Sequence, residues 1–152
     1  MAGILVPLGG ALTGTAQDDE VVRLACVLAR QSKTPVCFLH VIQVPRTLAV
    51  DAELPAQTHR GDEVLLRAET EAQRLGVQTE TALAQAREIG PAIVNEAVDR
   101  GSALIVIAID PDRRSGTFHI GQIASYVLEH APCAVIAHRM SFAPEPPPSR
   151  GR

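Results

Sequence analysis

The sequence predicts an α/β fold, a five-stranded parallel sheet with helices on its faces, and three observations lead there. Apolar runs alternate with stretches of helical periodicity along the chain, the order expected of right-handed β-α-β crossovers. Several of those runs, such as ILVPL at 4–8, PVCFLHVI at 35–42 and ALIVIAI at 103–109, are unbroken, as in strands buried on both faces. The composition agrees: 46% of residues are hydrophobic, with no Trp, three Phe and one Tyr, so the core must be aliphatic.

The first strand is read over 3–8 and is followed by the loop GGALTGT at 9–15. Thr15 with Asp18 resembles a capping box, and Val21, Leu24, Ala25 and Leu28 recur at the spacing of one helical face. The run Asp18-Asp19-Glu20 suits a helix start, where the dipole favours negative charge. A second strand follows over 35–42. Residues 44–60, interrupted by Pro45 and Pro55, show no period and read as a long connection. Val64, Leu65, Ala68, Ala72 and Leu75 mark a second helix, closed by Gly76. The alternating VQTETALA at 77–84 predicts a less buried strand.

Gly90-Pro91 predicts the start of a third helix, with Pro91 in its first position, Ile93, Val94, Ala97 and Val98 inward, and Gly101 at its end. The strand over 103–109 leads to a helix over 121–130 with Ile123, Ala124, Val127 and Leu128 inward. A fifth strand is read over 133–137. Residues 1–140 thus form one domain, and 141–152, which include PEPPPSRGR, read as a proline-rich disordered or extended tail.

Composition excludes several functions. Net charge is −3, Arg113-Arg114 is the one adjacent basic pair, and stacking aromatics are scarce, which argues against nucleic acid. No apolar run approaches the roughly 18 residues that span a bilayer, and no basic segment precedes the short apolar start. The three cysteines, Cys26, Cys37 and Cys133, are widely spaced, so a disulfide framework or zinc site is not expected, and a reduced cytoplasmic protein is. His40, His59, His119, His130 and His138 lack metal-binding spacing. Ser115 and Thr117 have no evident base beside them, and no enzyme is expected.

Ligands of parallel α/β sheets sit past the carboxyl ends of the strands, where strand order reverses. The segments after strands one, two and four are therefore the candidates, over 7–15, 41–50 and 108–121. Gly9 and Gly14 have P-loop spacing, but Thr15-Ala16 stands where Lys followed by Ser or Thr is needed. Adjacent Gly9-Gly10 also breaks the GxGxxG pattern.

The opening ILVPL, the Leu39–Val41 stretch, GPAIVNEAVDRGSALIVI at 90–107 and YVLEHAPCAVIA at 126–137 together resemble the universal stress protein family. The resemblance implies a flavodoxin-like, adenine nucleotide alpha hydrolase-like three-layer α/β/α fold and a homodimer formed through the last strand. Cys133, Ala134, Val135, Ile136, Ala137 and His138 would form that interface. The family's nucleotide-binding members carry G-x2-G-x9-G-[ST] after strand four and an Asp after strand one. Laid on without gaps, these positions fall on Ala108, Pro111, Gly121, Gln122 and Gly9. By the same alignment the ligand positions are Pro7, Leu8, Gly9, Gly10, Val41, Ala108, Ile109, Asp110, Pro111, Arg113, Arg114, Gly121, Gln122, Ile123 and Ala124.

Only Gly121 matches among the five motif positions. Pro111 has no N–H to give a phosphate, and Asp110 brings negative charge beside it. Two like charges at ~4 Å cost about 1 kcal/mol in water and about 4 kcal/mol at an effective dielectric of 20. The expectation is a regulatory or protein-docking homodimer without ATP bound in the family's usual way and without a cofactor. The alternative is an altered nucleotide or anion site using Gly121, Gln122, Arg113 and Arg114.

Overall fold

The computed structural model describes residues 2–9, 15–109 and 120–139. Within them the chain runs β1 (Ile4–Pro7), α1 (Thr15–Ser32), β2 (Val36–Gln43), α2 (Pro55–Arg74), β3 (Thr79–Ala86), α3 (Ile89–Arg100), β4 (Leu104–Ile109), α4 (Gln122–His130) and β5 (Ala134–Arg139). The five strands form one parallel sheet in the order β3-β2-β1-β4-β5. Strand order therefore reverses between β1 and β4, which sets the ligand crevice at their carboxyl ends. The tail over 141–152 lies outside the described residues.

Strand alternation divides the core into two layers. Val6, Phe38, Val106 and Ala108 face α1 and α2, against Val21, Ala25, Leu65 and Ala68. Leu5, Leu39, Ile105 and Ile107 face α3 and α4, against Ile93, Ala97, Ala124 and Val127. The unbroken apolar runs follow from this arrangement, because β1, β2 and β4 have no solvent-facing side. β3 lies at an edge and is only partly buried, which fits its alternating sequence. Among the described residues no helix is long and apolar enough to cross a membrane.

The elements depart from the sequence reading in identifiable places. α2 begins at Pro55, so residues 55–60, read as connection, are helical. Pro55 suits a first turn, which needs no N–H there, and that turn is largely exposed, so it carries no apolar period. β3 covers 79–86 rather than 77–84 because Val77 closes α2: its N–H bonds the Ala72 carbonyl, and the Gly76 N–H bonds that of Gln73. α3 closes in the same way, through Ser102 to Ala97 and Gly101 to Val98. Pro91 is the third residue of α3, not the first, still inside the turn whose N–H groups lack helical partners. Val98 and Leu128, expected inward, are 57% and 46% exposed, each one residue past a buried Ala97 or Val127 and so about 100° round the helix. β5 runs from 134 to 139, and Cys133 precedes it.

The acidic run at the start of α1 does more than complement the dipole. Asp18 is buried and accepts the Gly9 N–H at 3.2 Å. Asp19 accepts two bonds from the Arg67 guanidinium, at 2.8 and 2.6 Å, tying α1 to α2. Glu20 lies 2.8 Å from His138 Nε2 and ties α1 to β5. The Arg67 hydrogen bond holds the Asp19 carboxyl below its ordinary 3.8. The folded state thus favours the charged carboxylate, so this contribution is complete above the ordinary value and fades as pH falls through the lowered one. Arg67→Ala is expected to lower the urea midpoint slightly at neutral pH, with the gap to the parent closing in strong acid. A gap unchanged by pH would contradict the pairing.

Burial raises the Cys26 and Cys37 thiols to about 11, and that of half-buried Cys133 also rises. None of the three has the lowered thiol pKa of a reactive cysteine.

Candidate functional site

At the carboxyl end of β1 the chain turns through Gly9 at φ +72°, a conformation that a residue with a side chain adopts only with strain. His40, buried in β2, donates from Nδ1 to the Leu8 carbonyl at 2.9 Å. That bond fixes the ring beside Gly9, where an added Cβ would lie 3.0 Å from Nδ1 and 3.1 Å from a Val64 methyl. The ring fits against α2 because Gly61 has no side chain: a Cβ there would come 2.7 Å from His40 Cδ2 and 2.6 Å from Leu83 Cδ1. Among the described residues, the turn at Gly9 is therefore closely packed against His40 and Val64.

On the other side of the sheet a cleft of about 580 Å³ opens between the first turns of α3 and α4 and the ends of β2 and β4. Gly121 precedes α4 at φ +83° and, as its N-cap residue, provides no side-chain cap. The first N–H groups of α4 have no partners within the helix, and the residues that carry them, Gln122, Ile123 and Ala124, line the cleft. α3 starts after Glu88, which is extended at φ −135° and likewise provides no side-chain cap. Bonds from Gln43 Nε2 to the Arg87 carbonyl (3.2 Å) and from Val44 N–H to the Ala86 carbonyl (2.8 Å) join the end of β2 to the turn before α3. Tyr126 forms a further wall, its ring stacked on His130 with centroids 4.2 Å apart and 19° between planes.

Among the described lining residues are one carboxylate, Glu88, the side-chain amides of Gln43 and Gln122, and the Tyr126 phenol, with no cationic side chain. Among the described residues no group of three or more His, Cys, Asp or Glu is placed to hold a metal ion.

Of the positions named from the sequence, the cleft brings together Ala108, Ile109, Gly121, Gln122, Ile123 and Ala124. Pro7, Leu8, Gly9 and Val41 are buried at the ends of β1 and β2 and do not line it. Gly10, Asp110, Pro111, Arg113 and Arg114 lie outside the described residues, as do Ser115, Thr117 and His119. Gln43 and Ile120 line the cleft too and fall within the candidate segments 41–50 and 108–121 without having been singled out; the sequence reading missed Glu88, Ile89, Gly90, Pro91 and Tyr126. Gly90-Pro91 was legible only as a helix start; its place in the wall depends on α3 packing beside α4, where a Cβ on Gly90 would lie 3.0 Å from Tyr126.

At the far edge of the sheet, β5 pairs with β4 alone among the described residues. Ala134, Ile136 and Ala137 are exposed there, Val135 and His138 are half-buried, and Cys133 is half-buried just ahead of the strand.

A parallel sheet in this order, with its crevice between the first and fourth strands, accompanies a match of residues 3–139 to the model of the universal stress protein family. The chain belongs to that family. Solved universal stress proteins share its fold. The chain is similar to one from Archaeoglobus fulgidus, with 24% identity and a TM-score of 0.76 over 90% of this chain and 98% of that one. A structure of the universal stress protein from the same organism in complex with dAMP matches at 22% identity and TM-score 0.71, over 90% and 97% of the two chains. An AMP-bound family member from Arabidopsis thaliana matches at 15% identity and TM-score 0.63, over 97% of each chain. No curated protein matches the chain.

Proposed function

We propose that this universal stress protein is a cytoplasmic regulatory or protein-docking domain, working as a homodimer in a stress response, that does not hold ATP in its family's usual way. The observation that carries the reading is Gly9: it stands at the position of the family's strand-one Asp, with positive φ and with His40 and Val64 against it. No side chain reaches a ligand from there. Of the family's loop glycines, the sequence keeps Gly121 alone. The cleft wall also has no cation to balance a triphosphate among its described residues, and no nucleophile–base pair that would make it an enzyme site.

The dimer reading rests on β5. Its exposed Ile136 and Ala134 lie on a strand with no second neighbour among the described residues, an edge that proteins generally cover. Pairing with the same edge of a second copy about a two-fold axis would cover it. Light scattering is expected to return twice the chain mass at micromolar concentration; a monomer would rule out this part.

The cleft favours a second reading, a binder of AMP or another small nucleotide. A volume of about 580 Å³ falls in the usual range for small-molecule sites, and the structural relatives include dAMP-bound and AMP-bound proteins. Mass spectrometry of small molecules released from freshly purified protein tests both readings. ATP is expected to be absent; a monophosphate would favour the second reading, and stoichiometric ATP would overturn the first.

A further inference from the structure

The geometry points to a base-binding end of the cleft beneath the first turn of α3, with Tyr126 as its aromatic wall, displaced from the β1 end of the crevice. The inference rests on reading the cleft as a small-nucleotide site.

Among the described residues, the β1 end offers a planar base little surface. Pro7, Leu8 and Val41 are buried and outside the cleft, and the Gly9 turn is crowded by the ring of His40. The opposite end has the surfaces a base needs. Ile89, Pro91 and Ile123 supply apolar wall, and Tyr126 supplies aromatic surface. The Tyr126 ring is already oriented, stacked at 4.2 Å on His130 and passing over Gly90, where an added Cβ would meet it at 3.0 Å. Orientation before binding lowers the ordering cost of a contact. Gln43 and Gln122 each offer an amide donor and an amide acceptor, which suits the mixed edge of a heteroaromatic base. With the base at α3, the sugar and any phosphate would point towards the start of α4, where backbone N–H groups favour an anion.

The chain supplies its own reporter. It has no Trp and one Tyr, so all tyrosine emission comes from Tyr126. The full chain is titrated with AMP, adenosine and ribose 5-phosphate, by emission and by calorimetry. AMP and adenosine are expected to change the emission saturably, and ribose 5-phosphate, which lacks a base, is not. Tyr126→Leu is expected to weaken AMP binding about 5- to 100-fold, the range for loss of one base–aromatic contact. Tyr126→Phe keeps the ring and is expected to stay within about threefold of the parent; it also guards against a folding defect in the leucine variant. If AMP gives binding heat while emission is unchanged and Tyr126→Leu binds like the parent, the base lies elsewhere: this inference fails and the nucleotide reading stands. If none of the three ligands gives heat or an emission change, the nucleotide reading fails and takes this inference with it.

Discussion

Phe38→Ala is expected to destabilise the fold by about 3–5 kcal/mol, the largest effect of any single truncation considered. Phe38 is fully buried in β2, a strand with neighbours on both sides. It belongs to the layer formed with α1 and α2, where the other buried side chains are Val, Leu, Ala, Ile and Cys26. Many members of that layer are β-branched, with little freedom to collapse into the cavity left by a lost benzyl group. Urea unfolding followed by circular dichroism measures the loss. A change below about 1 kcal/mol, the range of surface substitutions, would contradict the placement of Phe38 at the centre of that layer.

Gly9→Asp, which restores the residue the family carries after strand one, is expected to cost on the order of 2–3 kcal/mol and to leave ATP affinity unimproved. Two costs combine. The backbone at φ +72° places an L side chain in the left-handed region, worth about 1–2 kcal/mol. The new Cβ also presses on His40, which its bond to the Leu8 carbonyl holds in place, and on Val64, so that one of them must give by a few tenths of an ångström. If crowding by His40 is the cause, Gly9→Asp combined with His40→Ala will be less destabilised than the sum of the single changes, by roughly 0.5–3 kcal/mol. Strict additivity would mean that the two positions do not interact.

Much of the fold was legible because it rests on local signals. The unbroken runs of β1, β2 and β4 and the apolar stripe of α1 specify their elements almost alone. Errors arose where the local signal was weak or shared. The exposed first turn of α2 has no period to read, and Val77, apolar and next to a strand, serves the end of a helix instead. Val98 and Leu128 fit an apolar stripe by spacing, but the buried stripes of α3 and α4 stop at Ala97 and Val127.

The site divides in the same way. Gly121 to Ala124 could be placed because one loop frame fixes their order along the chain. Tyr126 and Gly90 could not, because their meeting depends on α3 packing against α4, and Gln43 was legible only as part of the segment 41–50, since its contact with the turn before α3 depends on where β2 ends. Asp18, Asp19 and Glu20 are neighbours in sequence with partners on three separate elements, the turn after β1, α2 and β5. A helix-start pattern contains nothing that names those partners.

The central claim, that this universal stress protein does not hold ATP in its family's usual way, is tested most directly by calorimetry of the full chain with ATP and AMP side by side. The expected result is that ATP binds no tighter than AMP and stays weaker than a Kd of about 1 μM. A submicromolar Kd for ATP, well below that for AMP, would contradict it.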